Sequence, residues 1–420
     1  MSLDTLALVL AGGRGERLSP LTDIRAKPAV SFGGKYKIVD FVLSNLFNSG
    51  LKKIYIATQY KSFSLDNHIE RGWRRRFGDD EFLRTLPPMQ MVDAYLYRGT
   101  ADVVFHNQDF LIREKENKIA VFGGDHIYKM DIAQMIDFHN EKGAELTIAA
   151  IPVEKKYASE FGIVEVDDNG FATRFLEKPK DQNLIDSINP AKNKPDFLLT
   201  SMGNYIFDKK VLLDEVIKNA SDLSTRHDFG KDIIPKMLDS KKKIAIYDFS
   251  TNSFNGITEK ERGYWKDVGT LDAYYDANME LIGTVPELNL YNDEWLLRTN
   301  QAEQPPVKTV DYNELEAKNV QSLVCDGSII TGGKVYRSIL SPKVIVKERA
   351  TVTDSIIFER VVIEPDSCID KAIIDKDNTI TKSIAEDIYK ARNDLNLANK
   401  IGIKVSKNGV VVVPKALYSG

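Results

Sequence analysis

From Leu340 onward the apolar residues of this chain recur every six positions, and few folds tolerate that spacing. Leu340, Val346, Val352 and Phe358 form one series, while Val344, Ala350, Ile356, Val362, Cys368, Ile374 and Ile380 form a second, four residues later. An α-helix would scatter such residues around its axis, and a strand with one buried face would repeat every second residue. A parallel β-helix, whose successive turns stack apolar residues on one another, fits the period. The first series fails at Glu364 and Asp370, so a slipped coil is expected there. A small β-sandwich with accidental spacing accounts less well for so long a run of matches. The pattern predicts a helix over Ile384 to Leu397 and a closing strand at Gly409 to Val413.

Upstream the pattern is different. Leu6-Ala7-Leu8-Val9-Leu10, Ile54-Tyr55-Ile56-Ala57, Ile119-Ala120-Val121-Phe122 and Leu146-Thr147-Ile148-Ala149-Ala150 are short apolar runs, read as strands. Between them lie helical spacings: Val39, Val42, Leu43 and Leu46, with Gly50 as a C-cap, and Ile132, Met135 and Ile136, running to Gly143. Alternation of this kind predicts a doubly wound α/β domain built on a mixed sheet, whose ligands bind beyond the carboxyl ends of the strands. With 420 residues the chain is expected to hold two domains, an α/β domain at 1–287 and a left-handed β-helix at 313–420. The segment 288–312, with Trp295, a polar run and Pro305-Pro306, reads as the linker between them.

The first strand ends in Ala11-Gly12-Gly13-Arg14-Gly15, followed closely by Arg17, Arg25 and Lys27. Glycines let the backbone approach an anion, and the basic residues supply counter-charge, so the stretch reads as a phosphate cradle. It is neither a Walker loop, since no Gly-Lys-Ser/Thr follows, nor a dinucleotide fingerprint. A plain strand-to-helix turn is the competing reading. A net charge of −4 gives no general attraction to nucleic acid or to an anionic membrane. Two cysteines and five scattered histidines offer neither a disulfide framework nor a zinc site. No basic leader precedes the first apolar run, and that run is too short to span a bilayer, so a cytoplasmic location is expected.

Several longer stretches carry a resemblance. Leu10-Ala11-Gly12-Gly13, Gly124-Asp125 and Glu177-Lys178-Pro179 are shared among nucleotidyltransferases that load sugars. RAKPAVSFGGKYKIVDFVLSN (25–45), YRGTADVV (97–104), GGDHIYKMD (123–131), SMGNYIF (201–207), HDFGKDIIPK (227–236) and YWKDVGTLDAYY (264–275) are more specific. With them the chain resembles the glucose-1-phosphate adenylyltransferases of bacterial glycogen synthesis, nearly end to end. The resemblance implies MgATP and α-D-glucose 1-phosphate as substrates, ADP-glucose and pyrophosphate as products, and metabolite regulation. Arg14, Lys27 and Asp125 would then be catalytic, and Gly12, Gly13, Gly15, Arg17 and Gln90 would bind the nucleotide. Tyr97, Gly162, Glu177, Lys178 and Ser201 would hold the sugar phosphate, with Pro179 keeping the backbone extended, and Asp125 and Asp267 would hold Mg²⁺. A helix N-cap or a turn residue is the bland alternative for Asp125.

For regulation the resemblance implies a homotetramer with an effector site between the domains. Arg25, Lys37, Lys390 and Arg392 are candidates for the effector, and Gln59 and Leu96 for relaying its signal. Ile24 and Ser31 stand where enterobacterial relatives carry lysine and histidine, so activation by fructose 1,6-bisphosphate is expected to be weak or replaced. Three other readings remain: a uridylyl- or thymidylyltransferase, a non-catalytic paralogous subunit paired with a true enzyme, and a hexapeptide acyltransferase. No histidine lies beyond His227, which counts against the last.

Overall fold

The computed structural model describes residues 4–88, 97–191, 194–300 and 302–419. A nine-stranded mixed sheet organises the first part. Its strands are β1 Thr5–Ala11, β2 Lys53–Thr58, β3 Phe82–Leu86, β4 Lys118–Gly123, β5 Leu146–Glu154, β6 Gly162–Val166, β7 Ala172–Glu177, β8 Phe197–Asp208 and β9 Ile244–Asp248. The order β7-β6-β8-β4-β1-β2-β3 runs across it, and β5 joins β8 to β9. β1 lies parallel between β4 and β2, whereas β8 runs antiparallel to β4 and β5. The run Leu6–Leu10 is continuously apolar because both faces of β1 are covered. Ala7 and Val9 join one core cluster, Leu6 and Leu8 the other.

The predicted helices are present as Ile38–Asn48 and Ile132–Lys142, the second closed by Gly143 in the left-handed conformation. Asp131 caps that helix, accepting a hydrogen bond from Ala133 N at 3.0 Å. The N-cap alternative for Asp125 therefore does not hold, although Asp125 does occupy a bend between two strands. The glycine turn is likewise not a simple strand-to-helix turn: two short 3₁₀ turns, Glu16–Leu18 and Lys27–Ala29, follow it before the first full helix.

The second part is the expected left-handed β-helix, three sheets of parallel strands coiled around one core, one of them ended by the antiparallel strand Lys404–Val405. Its coil is shorter than three strict hexads. Ile329 pairs with Ile345, sixteen residues on, and Ile345 with Val362, seventeen residues on. The apolar series therefore slips by one residue on most turns. Val346 and Val352 are followed inside by Ile357, Ile363 and Ile369, all fully buried. The slip falls before Glu364 and Asp370, at Ile357. Phe358 leaves the helix core to pack against the first domain, and of the second series Val362 is half-buried and Cys368 exposed. Two helices, Lys382–Ala391 and Leu395–Lys400, replace the single one predicted, and Val411–Val413 closes the coil beside Ala372–Ile374.

Residues 284–307 contain no helix or strand among those described, yet Leu288, Trp295 and Leu297 are buried. Lys308–Val310 already pairs with Ile329–Thr331 of the β-helix. A shared apolar cluster joins the two parts, with Phe32, Phe41 and Tyr274 from one side and Ile339, Ile356, Phe358 and Ile373 from the other.

Candidate active site

A cleft of 490 Å³ opens at the carboxyl ends of β1, β2 and β4. The glycine turn leaves β1 there, and nothing stands within 4 Å of the place a Cβ on Gly13 would take. That open space is where a ligand could approach the backbone. Gly12 also lines the cleft, but a Cβ there would meet Gln59, just past the end of β2, at 2.9 Å. Gly15, at φ +63°, turns the chain back so that Lys27 packs against it.

At the floor, Gly123-Gly124 delivers Asp125 from β4 into a two-stranded ribbon, His126–Tyr128 paired antiparallel with Trp265–Asp267. Asp267 sits opposite His126 in that register. Both carboxylates converge on one ammonium: Lys27 Nζ donates to Asp125 Oδ2 at 3.1 Å and to Asp267 Oδ1 at 2.8 Å. Enclosure alone would raise the Asp125 pKa, but the charges of Lys27 and His126 outweigh it and hold the group below its ordinary value. Burial would likewise lower the pKa of Lys27, and the two carboxylates raise it instead. Arg17 stands 3.7 Å from Asp267 at the margin. Arg14 extends to Glu16 and the Tyr60 ring and is largely exposed.

The other end of the cleft is built from β7 and from the segment 227–233. Glu177 closes β7 and is enclosed by glycines on two sides. A Cβ on Gly162 would lie 2.8 Å from its Oε2, and one on Gly230 only 2.4 Å. Desolvation first, then the neighbouring Asp228, raises the Glu177 pKa. Lys178 takes a left-handed conformation, φ +47°, so its backbone is not the extended one expected before Pro179. Its side chain lines the cleft and is 57% exposed, with Nζ 4.0 Å from Glu177 Oε1. Tyr97 lines the wall, its hydroxyl accepting from Asn107 Nδ2 at 3.0 Å. Ser201 lies behind, accepting from Gly203 N, where a register shift in β8 lets Gly203 and Tyr205 reach the cleft.

Sequence reasoning missed Thr100, His126, Tyr205, Asp228, Phe229 and Gly230, all of which line the cleft. Asp228 caps a short π-helix, Phe229–Ile233, and accepts from the Thr100 hydroxyl at 3.1 Å. Gly230 directly before the helical stretch Lys231 to Lys236 was the available signal, because a glycine there marks a close approach. Gln90 and Leu96 lie outside the described residues.

The effector candidates separate. Arg25 and Lys37 are buried between the domains, Arg25 against Asp375 at 3.0 Å and Lys37 against Glu359 at 3.0 Å and Ser31 Oγ at 2.6 Å. Arg392 pairs instead with Asp370 at 2.8 Å and Lys390 with Asp387 at 3.8 Å.

Comparison with known proteins agrees with this architecture. Residues 6–283 match the nucleotidyl transferase family, and residues 305–413 match the GlmU-like C-terminal hexapeptide family. A glucose-1-phosphate adenylyltransferase from Trichlorobacter lovleyi is 48% identical over 361 residues, 85% of each chain. One from Anaeromyxobacter sp. (strain Fw109-5) is 47% identical over 357 residues, 84% of this chain and 85% of its own. The chain belongs to the glucose-1-phosphate adenylyltransferase family. It is a nucleotidyltransferase, and members of that family generally work with a divalent metal. Glucose-1-phosphate adenylyltransferase 2 from Vibrio cholerae is 44% identical over 359 residues, 85% of this chain and 86% of its own.

Among the described residues no group of three or more His, Cys, Asp or Glu side chains converges. Asp125 and Asp267 are the carboxylates that meet on Lys27, and they already face a common cationic point, with 40% and 25% of their side chains exposed. A pair of oxygen donors beside an open cleft suits a hard cation that takes its remaining ligands from phosphate and water. The donor set therefore fits a magnesium ion. No described helix is long and apolar enough to cross a membrane.

Proposed function

We propose that the chain transfers the adenylyl group of ATP to α-D-glucose 1-phosphate, giving ADP-glucose and pyrophosphate. The observation that carries this reading is that Asp125 and Lys27 line one cleft with the glycine turn and the Glu177–Lys178 wall, with Asp267 held on the same ammonium. Two anions have to meet there, so the work is alignment and charge neutralisation without a covalent nucleophile.

The triphosphate lies along Gly12, Gly13 and Gly15, and Arg14, Arg17 and Lys27 neutralise the departing pyrophosphate. Gln90 reads the base. Glucose 1-phosphate sits against Tyr97, Gly162, Glu177 and Ser201, with Glu177 accepting from sugar hydroxyls and Lys178 pairing with the phosphate. Mg²⁺ held by Asp125 and Asp267 supplies charge stabilisation at the reacting phosphate when bound. Thr100 and Asp228 extend the polar wall at the sugar end.

The same reading includes a homotetramer, a role in glycogen storage and metabolite control, with Gln59 and Leu96 relaying the signal. Arg25 and Lys37 already hold Asp375 and Glu359, which supports a weak response to a sugar bisphosphate.

The test is product analysis with the purified full-length chain, glucose 1-phosphate, Mg²⁺ and each of ATP, UTP and dTTP. ADP-glucose and pyrophosphate in equal amounts, with ATP strongly preferred, is the expected result. Preference for UTP or dTTP would move the assignment to another sugar nucleotidyltransferase. Inactivity with every nucleotide would favour a non-catalytic subunit.

A further inference from the structure

The ammonium between the two carboxylates has a consequence for how metal enters the site. Lys27 Nζ lies 3.1 Å from Asp125 and 2.8 Å from Asp267, and its side chain is only 7% exposed. Two carboxylates converging without a cation between them would repel one another, so a positive charge has to stand there before any ligand arrives. Arg17 and His126 approach the same carboxylates, each at 3.7 Å, from their outer sides and leave the central position to Lys27. The lysine stem is pinned against Gly15, where a Cβ would meet Lys27 Cβ at 3.0 Å. Its root thus belongs to the phosphate-facing turn while its tip belongs to the carboxylates.

We propose that Lys27 is a stand-in cation, which must leave Asp125 and Asp267 for the nucleotide's phosphates before the metal can be held there. This rests on the metal assignment made above and adds a coupling to it. The metal without nucleotide competes with a resident ammonium. With nucleotide present, the ammonium gains a phosphate partner and the carboxylates are released together. Free metal is then kept out of an otherwise idle site, and metal and nucleotide load as a unit.

Direct Mn²⁺ binding to the full-length protein, read by electron paramagnetic resonance without nucleotide, tests the idea. Lys27→Met and Lys27→Gln remove the resident charge while keeping the stem, and two variants guard against a folding defect in one. Each is expected to bind Mn²⁺ at least about tenfold more tightly than the wild type, since two carboxylates lose their competing partner. A lysine that merely holds the carboxylates in place predicts the opposite, weaker binding in both variants. Affinity unchanged or weakened in both overturns the proposal. Adding Asp267→Asn to Lys27→Met should abolish the gain. If the double variant keeps it, the metal lies elsewhere, and the assignment to Asp125 and Asp267 fails rather than the coupling alone.

Discussion

At the residue scale the site depends on a few places where a side chain is missing. At Gly230 a methyl group would come within 2.4 Å of Glu177 Oε2, the far end of that side chain. Gly230→Ala should therefore displace the Glu177 carboxylate without unfolding the domain. The expected outcome is a KM for glucose 1-phosphate raised about tenfold or more, with the KM for ATP nearly unchanged, since a displacement of about 1 Å can cost that much in positioning. Separate substrate titrations check it. The glycine turn with Lys27 close behind it, and Asp125 after Gly123-Gly124, stand out in the sequence because glycine, strand ends and charge occur together there, whereas Glu177 and Lys178 entered only through the family resemblance. Asp228 does not stand out, since its proximity to Thr100 joins residues far apart in the chain. The left-handed Lys178 was also invisible, because Lys-Pro in sequence favours an extended residue and only the tertiary fold overrides that preference.

At the element scale the β-helix was announced by its period but not by its true pitch. A hexad read literally gives eighteen residues per coil, whereas most described coils advance by sixteen or seventeen. The missing residue is absorbed at corners held in the left-handed region, among them Arg337, Arg349, Asp354, Arg360, Asp366 and Asp377. Stacked corners pair: Arg349 donates to Asp366 at 2.6 Å and Arg360 to Asp377 at 2.6 Å, each one coil on. These side chains are largely in water, so single ladder variants such as Arg349→Ala should leave the unfolding midpoint nearly unchanged. The interdomain pair differs in kind. Arg25 and Asp375 are 3% and 0% exposed, and removing one partner leaves the other buried and unpaired. Asp375→Asn is therefore expected to destabilise the protein by about 3–5 kcal/mol. Urea unfolding of the two variants side by side distinguishes a surface ladder from a buried tie.

At the scale of the whole molecule the two domains share one core and one charge cluster, so their docking responds to pH. Three cations, Arg25, Lys37 and Lys376, face two carboxylates, Glu359 and Asp375, around Ser31 and Tyr274. Burial first, then the nearby Lys37, pulls Lys376 down to about 7. Between that value and the ordinary 10.5 of a lysine, the unfolded chain holds a proton that the folded one lacks. Stability should accordingly rise with pH from about 7 towards 10, by at most about 1.4 kcal/mol per pH unit. Lys376→Met should flatten that rise in thermal melts, and an unaltered slope would place its origin in another group. Glu359 behaves in the opposite sense. Burial opposes its charge, but Lys37 and Lys376 outweigh that and hold its pKa below the ordinary range, so its contribution is complete above about pH 4.5 and is lost as pH falls further.

One comparison bears most directly on the claim that this cleft transfers adenylyl groups: the rate of pyrophosphate release from ATP and glucose 1-phosphate by the wild type and by Asp125→Asn, with circular dichroism confirming that both are folded. Asp125→Asn removes a charge and keeps the shape, so a fall in kcat of about 10³-fold or more is expected. A folded variant that retains most of the wild-type rate would contradict the account.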